Sequence, residues 1–169
     1  MLHGWDNFYI MTGAAGAQLI GLLFVIITLG THLSPSSVVH GVRAFLTPTL
    51  VHFGSVLFQA MIVLAPWTSA WPVGVVLGLC GLVGLAYLID VVRKRQKVQF
   101  VSLHLLDWIP YAGIPALANL ALIAGAIGMI AEKFLAPYFL AGATTLFMFA
   151  GIYGAWDLTL WIVKNRDTS

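Results

Sequence analysis

A chain of 169 residues has the length of one domain, yet 60% of it is hydrophobic, 8% is charged and its mean hydropathy is +0.96. That composition excludes a water-soluble surface and makes lipid the natural solvent. The net charge of +2 excludes a basic nucleic-acid-binding face, and a single cysteine, Cys80, excludes an intrachain disulfide.

A hydrocarbon core of ~30 Å takes roughly 20 helical residues to cross. Five runs meet that length: residues 8–29, 48–65, 71–89, 111–131 and 138–163, none of which contains Lys, Arg or Glu. Transmembrane strands would alternate in polarity, whereas these runs are apolar throughout, so their backbone groups must pair within helices. The expected fold class is an all-α integral membrane protein, residues 1–169 forming one transmembrane domain with five transmembrane helices and short interfacial helices.

The first run has no Lys or Arg before it and is too long for a cleaved signal peptide, so it reads as retained. Gly13, Ala17 and Gly21 recur in it every four residues, with Gln18 near its middle. Before the second run, Ser36 and Ser37 are candidate caps of a short helix through Phe45. Thr47 and Pro48 then read as the cap and first residue of the crossing, with a bend between the two helices. Within that crossing His52, Ser55 and Gln59 share a face. The third run repeats small residues at Gly74, Gly78, Gly81 and Gly84.

Beyond it, Arg93, Lys94, Arg95 and Lys97 crowd half of the basic residues into five positions, and this cluster must stay in water. Residues 98–108 mix apolar and polar side chains as an interfacial helix does, before Pro110 opens the fourth crossing. Asn119 lies near the middle of the fourth run, the turn at 132–137 carries Lys133, and Asp157 lies about two turns inside the end of the fifth.

Short loops rich in Lys and Arg remain cytoplasmic. With the Arg93 to Lys97 cluster inside, Arg43, Lys164 and Arg166 fall on the same side and only Lys133 falls outside. The expected topology is therefore N-terminus out and C-terminus in. Trp5, Trp67 and Trp71 then mark the outer boundary, and Trp108 and Trp161 the inner one.

Three kinds of chemistry compete for the remaining residues. Gly13, Ala17, Gly21, Gly74 and Gly78 form small-residue faces of the type that lets helices approach closely in lipid, either inside one bundle or between subunits. Gln18, Gln59 and Asn119, with His52 and Asp157 toward the inner side, are the candidate polar lining of a passive path. His32, His52, His104 and Asp107 are the candidate metal ligands, and His52 with His32 a candidate haem pair, although no HExxH or close Cys/His spacing directs them. His52 and Arg43 are the nominated partners of Asp157. No nucleophile with a paired base and no phosphate-cradling loop is legible, so the reading leans away from an enzyme and requires no cofactor.

The stretches Trp5-Asp6-Asn7-Phe8-Tyr9, Gly13-Ala14-Ala15-Gly16-Ala17 leading to Gly21-Leu22-Leu23-Phe24-Val25, Phe45 through Phe53, and Ala65-Pro66-Trp67 together resemble an uncharacterised family of small multi-pass bacterial membrane proteins. The resemblance covers most of the chain. It implies a bacterial cytoplasmic (inner) membrane location and about five helices, and it supplies no activity, cofactor or catalytic residue.

The functional expectation is a non-enzymatic multi-pass protein that assembles through small-residue helix faces, as a homo-oligomer or as an accessory subunit of a larger membrane complex. Its partners would be the bilayer and either itself or another membrane protein, with no nucleic acid. The alternatives are a passive channel or facilitator for a small solute or ion, and a b-type haem or metal-binding membrane protein.

Overall fold

A computed structural model describes residues 2, 4–31, 38–97 and 109–166. Among them there are helices and turns but no strand. We label the helices α1 (Asp6–Thr31), α2 (Val38–Leu64), α3 (Trp71–Lys97), α4 (Ile109–Ile130, opening with a π-helical turn over Ile109–Gly113) and α5 (Ala136–Arg166). All five are long and apolar enough to cross a membrane. His32, His104, Asp107, the Ser36 and Ser37 caps and the interfacial helix at 98–108 lie outside the described residues.

The second crossing departs from the sequence reading. Pro48 stands inside one continuous 27-residue helix, and Thr47 is not a helix start. A proline in a helix interior removes one backbone hydrogen bond and crowds the carbonyl four residues before it. Apolar helices tolerate this where neighbouring residues satisfy the freed groups, and here no break results. A second proline does change the local form: Pro115 crowds the Tyr111 carbonyl, and the turn that contains Tyr111 is the widened one at the start of α4.

The connection from α4 to α5 is tight. Lys133 N–H donates to Gly128 O at 2.8 Å and Glu132 N–H to Met129 O at 3.3 Å, the paired bonds of a Schellman motif. Glu132 takes the left-handed position with φ 52°, which usually falls to glycine. Gly128 then lets the hairpin close: a methyl group placed on it would lie 2.9 Å from the Ala136 Cβ.

The spatial order of the helices is α1, α2, α5, α4, α3. The last helix in the chain is therefore the central one, clasped by α2 and α4, while α2 and α3 touch only slightly although they are consecutive. One apolar core joins Tyr9, Val56, Ala60, Leu77, Leu122, Met129, Leu140 and Phe147, and a smaller one joins Leu23, Phe53 and Leu158. Around them Leu22, Phe24, Leu79, Val83, Ile127, Phe149 and Trp156 are each more than half exposed. Among the described residues the five spans are apolar on every side, so apolar side chains cover the outside as well.

Candidate functional site

The small-residue rows behave differently on α1 and α3. On α3 the row faces α4. A methyl group on Gly74 would lie 2.7 Å from Ala126 O, one on Gly78 3.4 Å from Ala126 Cβ, and one on Gly81 2.7 Å from Ile123 Cγ1, while Gly84 gives its space to the Asn119 side chain. These glycines are consumed by packing within the chain.

On α1 the row that packs is not the one spaced every four residues. Tyr9, Gly13, Gly16 and Leu23 are buried, with Ile20 half-buried between them, so the steps alternate between four and three. Gly13 accepts Ala60 of α2 at 2.7 Å from where its own methyl group would be, and Gly16 accepts the Phe53 carbonyl at 3.3 Å. Ala17 and Gly21 point away from the bundle, and no atom comes within 4 Å of a methyl group placed on Gly21. Ala14 and Gln18 share that outward side. Gln18 makes no side-chain hydrogen bond among the described residues.

Five close approaches were not singled out from the sequence: Gly16 against Phe53, Gly125 against Leu140, Gly128 against Ala136, Gly151 against Phe53 and Gly154 against Thr49. A signal for them exists. The pairs Gly13/Gly16, Gly81/Gly84, Gly125/Gly128 and Gly151/Gly154 are each three apart, which places both members on one helix face.

The three amides fall in three separate places. Gln18 is outward on α1. Asn119 is buried where α4 meets α3, and its Nδ2 donates to Pro115 O at 2.8 Å. Gln59 is buried where α2 meets α5: its Nε2 donates to Ser55 O at 3.2 Å, and its Oε1 accepts from the Thr144 hydroxyl at 3.0 Å. Thr144 was invisible as a partner because it lies 85 positions away. These placements do not bring Gln18, Gln59 and Asn119 onto one lining.

No family model matches the chain, and neither does any curated protein or solved structure. The reading of its site therefore rests on geometry.

Asp157 differs from expectation in its partner. The Tyr111 hydroxyl donates to Asp157 Oδ2, and the Tyr111 ring meets Tyr153 edge-on with centroids 5.7 Å apart. His52 does not fill that place, and the Arg43 side chain lies outside the described residues. The nearby phenol reaches the carboxylate because the π turn brings Tyr111 onto the side of α4 that faces α5.

His52 sits instead against the Phe147 ring of α5, with centroids 6.1 Å apart, and its Nδ1 is buried without a hydrogen-bond partner. Ser55, which shares its face, turns its hydroxyl back to Val51 O at 2.8 Å. Of the four metal candidates only His52 is described, and among the described residues no three His, Cys, Asp or Glu side chains gather around one point.

At the opposite end of the bundle from Asp157, Trp5 meets Tyr138 edge-on at 5.1 Å. The buried Tyr9 hydroxyl beneath it approaches Thr144 without forming a hydrogen bond of normal geometry.

Proposed function

We propose that this chain is a five-crossing protein of the bacterial cytoplasmic membrane that works by assembling, with itself or as an accessory subunit, through the outward side of α1. The N-terminus lies outside and the C-terminus inside. Apolar side chains over half exposed around the whole bundle favour lipid as the surroundings, and seven of the eight basic residues then stay on the cytoplasmic side.

The observation that carries the assembly reading is Gln18. An amide near the middle of an apolar crossing, turned away from its own bundle and without a partner among the described residues, faces hydrocarbon that can neither donate nor accept. Ala14, Ala17 and Gly21 surround it with short side chains, so a second helix can come close enough to bond it. A hydrogen bond between helices in lipid contributes ~0.6 to 2 kcal/mol, and close packing adds to it. An amide both donates and accepts, so two copies related by a two-fold axis satisfy one another.

The test is the size of the purified particle in a mild membrane mimetic, with Gln18→Leu and Gly21→Leu beside the unaltered chain. Assembly that both changes weaken supports the reading. A monomer that carries no companion protein from its native membrane ends it.

A further inference from the structure

Assembly through α1 leaves the Asp157 carboxylate unused. Its depth follows from contacts on two sides. Thr49 of α2 packs on Gly154 of α5 and Phe53 packs on Gly151, so the two helices are antiparallel there. Three residues on from these contacts, Asp157 is level with Leu46, where the apolar span of α2 begins. Leu46 packs against the same small core as Leu158, in keeping with that register. On the other side the Tyr111 hydroxyl donates to Asp157 Oδ2, and Tyr111 is the third residue of the α4 span. At 1.5 Å per residue this is about 3 Å inside the end of the crossing. In a membrane Asp157 therefore lies where hydrocarbon gives way to lipid headgroups, although the apolar span of its own helix continues to Val163.

Aromatic rings flank it. Tyr153 lies one turn before Asp157 on the same face of α5 and Trp161 one turn after it. Tyr111 reaches across from α4 on its widened turn and meets the Tyr153 ring edge-on. Tyr153 is 41% exposed and Trp156 is 62% exposed, so this stretch of α5 opens outward, with Asp157 half-buried in it. Among the described residues no donor besides Tyr111 meets the carboxylate, which leaves Oδ1 unfilled. A carboxylate accepts several donors, and one at the edge of hydrocarbon is costly until a partner reaches it.

We infer that Asp157 binds the primary ammonium headgroup of a membrane lipid, a phosphatidylethanolamine, with Tyr111, Tyr153 and Trp161 as the aromatic wall. The ammonium donates to Oδ1, and the ring faces attract the same positive charge. The Tyr111 hydroxyl holds the carboxylate in place from its other oxygen. A quaternary ammonium keeps the attraction to the rings but has no hydrogen to donate, and an anionic headgroup offers neither. A metal ion would need further ligands, and among the described residues no three His, Cys, Asp or Glu side chains gather here. The depth and the outward opening favour an amine delivered by the bilayer over one from solution.

The site uses α4 and α5 and not the outward side of α1, so it stands or falls apart from the assembly reading. The full chain in detergent micelles is offered phosphatidylethanolamine, phosphatidylcholine and phosphatidylglycerol with identical acyl chains, and native mass spectrometry counts the lipid retained. One phosphatidylethanolamine per chain is expected to remain at concentrations where the other two are lost. Asp157→Asn keeps the shape and an acceptor for Tyr111, and is expected to weaken that binding about tenfold, the worth of a charge-assisted hydrogen bond. Tyr153→Leu is expected to weaken it severalfold, and Gln18→Leu to leave it unchanged. Equal retention of the three lipids, unchanged retention by Asp157→Asn, or free ethanolamine binding as tightly as the lipid overturns the inference. Should Asp157→Asn fail to insert, Tyr153→Leu decides, since that side chain is exposed: unchanged retention in it overturns the site.

Discussion

Helices α1 and α3 stand at the two ends of the helix row, and each carries a ladder of small residues. They use the ladders in opposite ways. On α3 Gly74, Gly78, Gly81 and Gly84 all turn toward α4, and the backbones come so close that added methyl groups at Gly74 and Gly81 would fall 2.7 Å from their neighbours. On α1 only Gly13 and Gly16 serve the bundle, and Ala17 and Gly21 are left over with Gln18 beside them. A small-residue repeat therefore does not by itself say where a helix docks. The polar group next to it separates the cases: Asn119 closes over the α3 ladder from α4 and bonds its own helix, whereas Gln18 makes no side-chain hydrogen bond among the described residues.

This contrast can be broken most sharply at Gly74. Leucine there must displace the Ala126 carbonyl and Ile130, so the expected loss of stability is about 3 kcal/mol or more, in line with severe overpacking. Denaturant titration in micelles measures it, and an unchanged midpoint would mean that α3 is not seated on α4 as described. Gly21→Leu should leave the stability of the single chain within about 0.5 kcal/mol, as surface changes do, while weakening association. Equal destabilisation by the two leucines would erase the distinction between the ends of the row.

A smaller effect is expected in the middle of the row. Gln59→Leu and Thr144→Val should each destabilise by about 1 to 2 kcal/mol, and the double variant by less than their sum, because one bond is removed in all three. Full additivity in that cycle would show that the two side chains are not coupled. Smallest is Glu132→Gly, which relieves the left-handed position in the α4–α5 turn and should stabilise by about 0.5 to 1 kcal/mol without touching either ladder. It supplies the background against which the two leucines are compared, and destabilisation by it would contradict the Schellman turn.

Some of the fold was legible because it depends only on nearby residues. The five apolar runs, the small residues at Gly13, Gly74 and Gly78, and the buried amides Gln59 and Asn119 are of this kind. Other local rules misled. Thr47 and Pro48 look like a helix start, yet α2 runs through them from Val38. Spacing by four does not mark which small residues of α1 pack within the chain, since the buried positions there alternate steps of four and three. Of the two partners nominated for Asp157, the Arg43 side chain lies outside the described residues and His52 packs on Phe147 instead, while the described contact goes to a tyrosine phenol 46 positions away.

The amino-acid sequence by itself determined the five apolar runs that become helices long enough to cross a membrane, and roughly where each begins and ends apart from the start of α2, since length and composition are local quantities. Only the tertiary structure decided that α5 sits at the centre between α2 and α4, and which glycines are spent inside. It also paired Thr144 with Gln59 and Tyr111 with Asp157. The physical reason is that a helix apolar on every side has no amphipathic stripe to aim it. Its facing is set by steric fit between small residues and a few buried polar bonds, and both depend on what lies across the interface rather than on what lies along the chain.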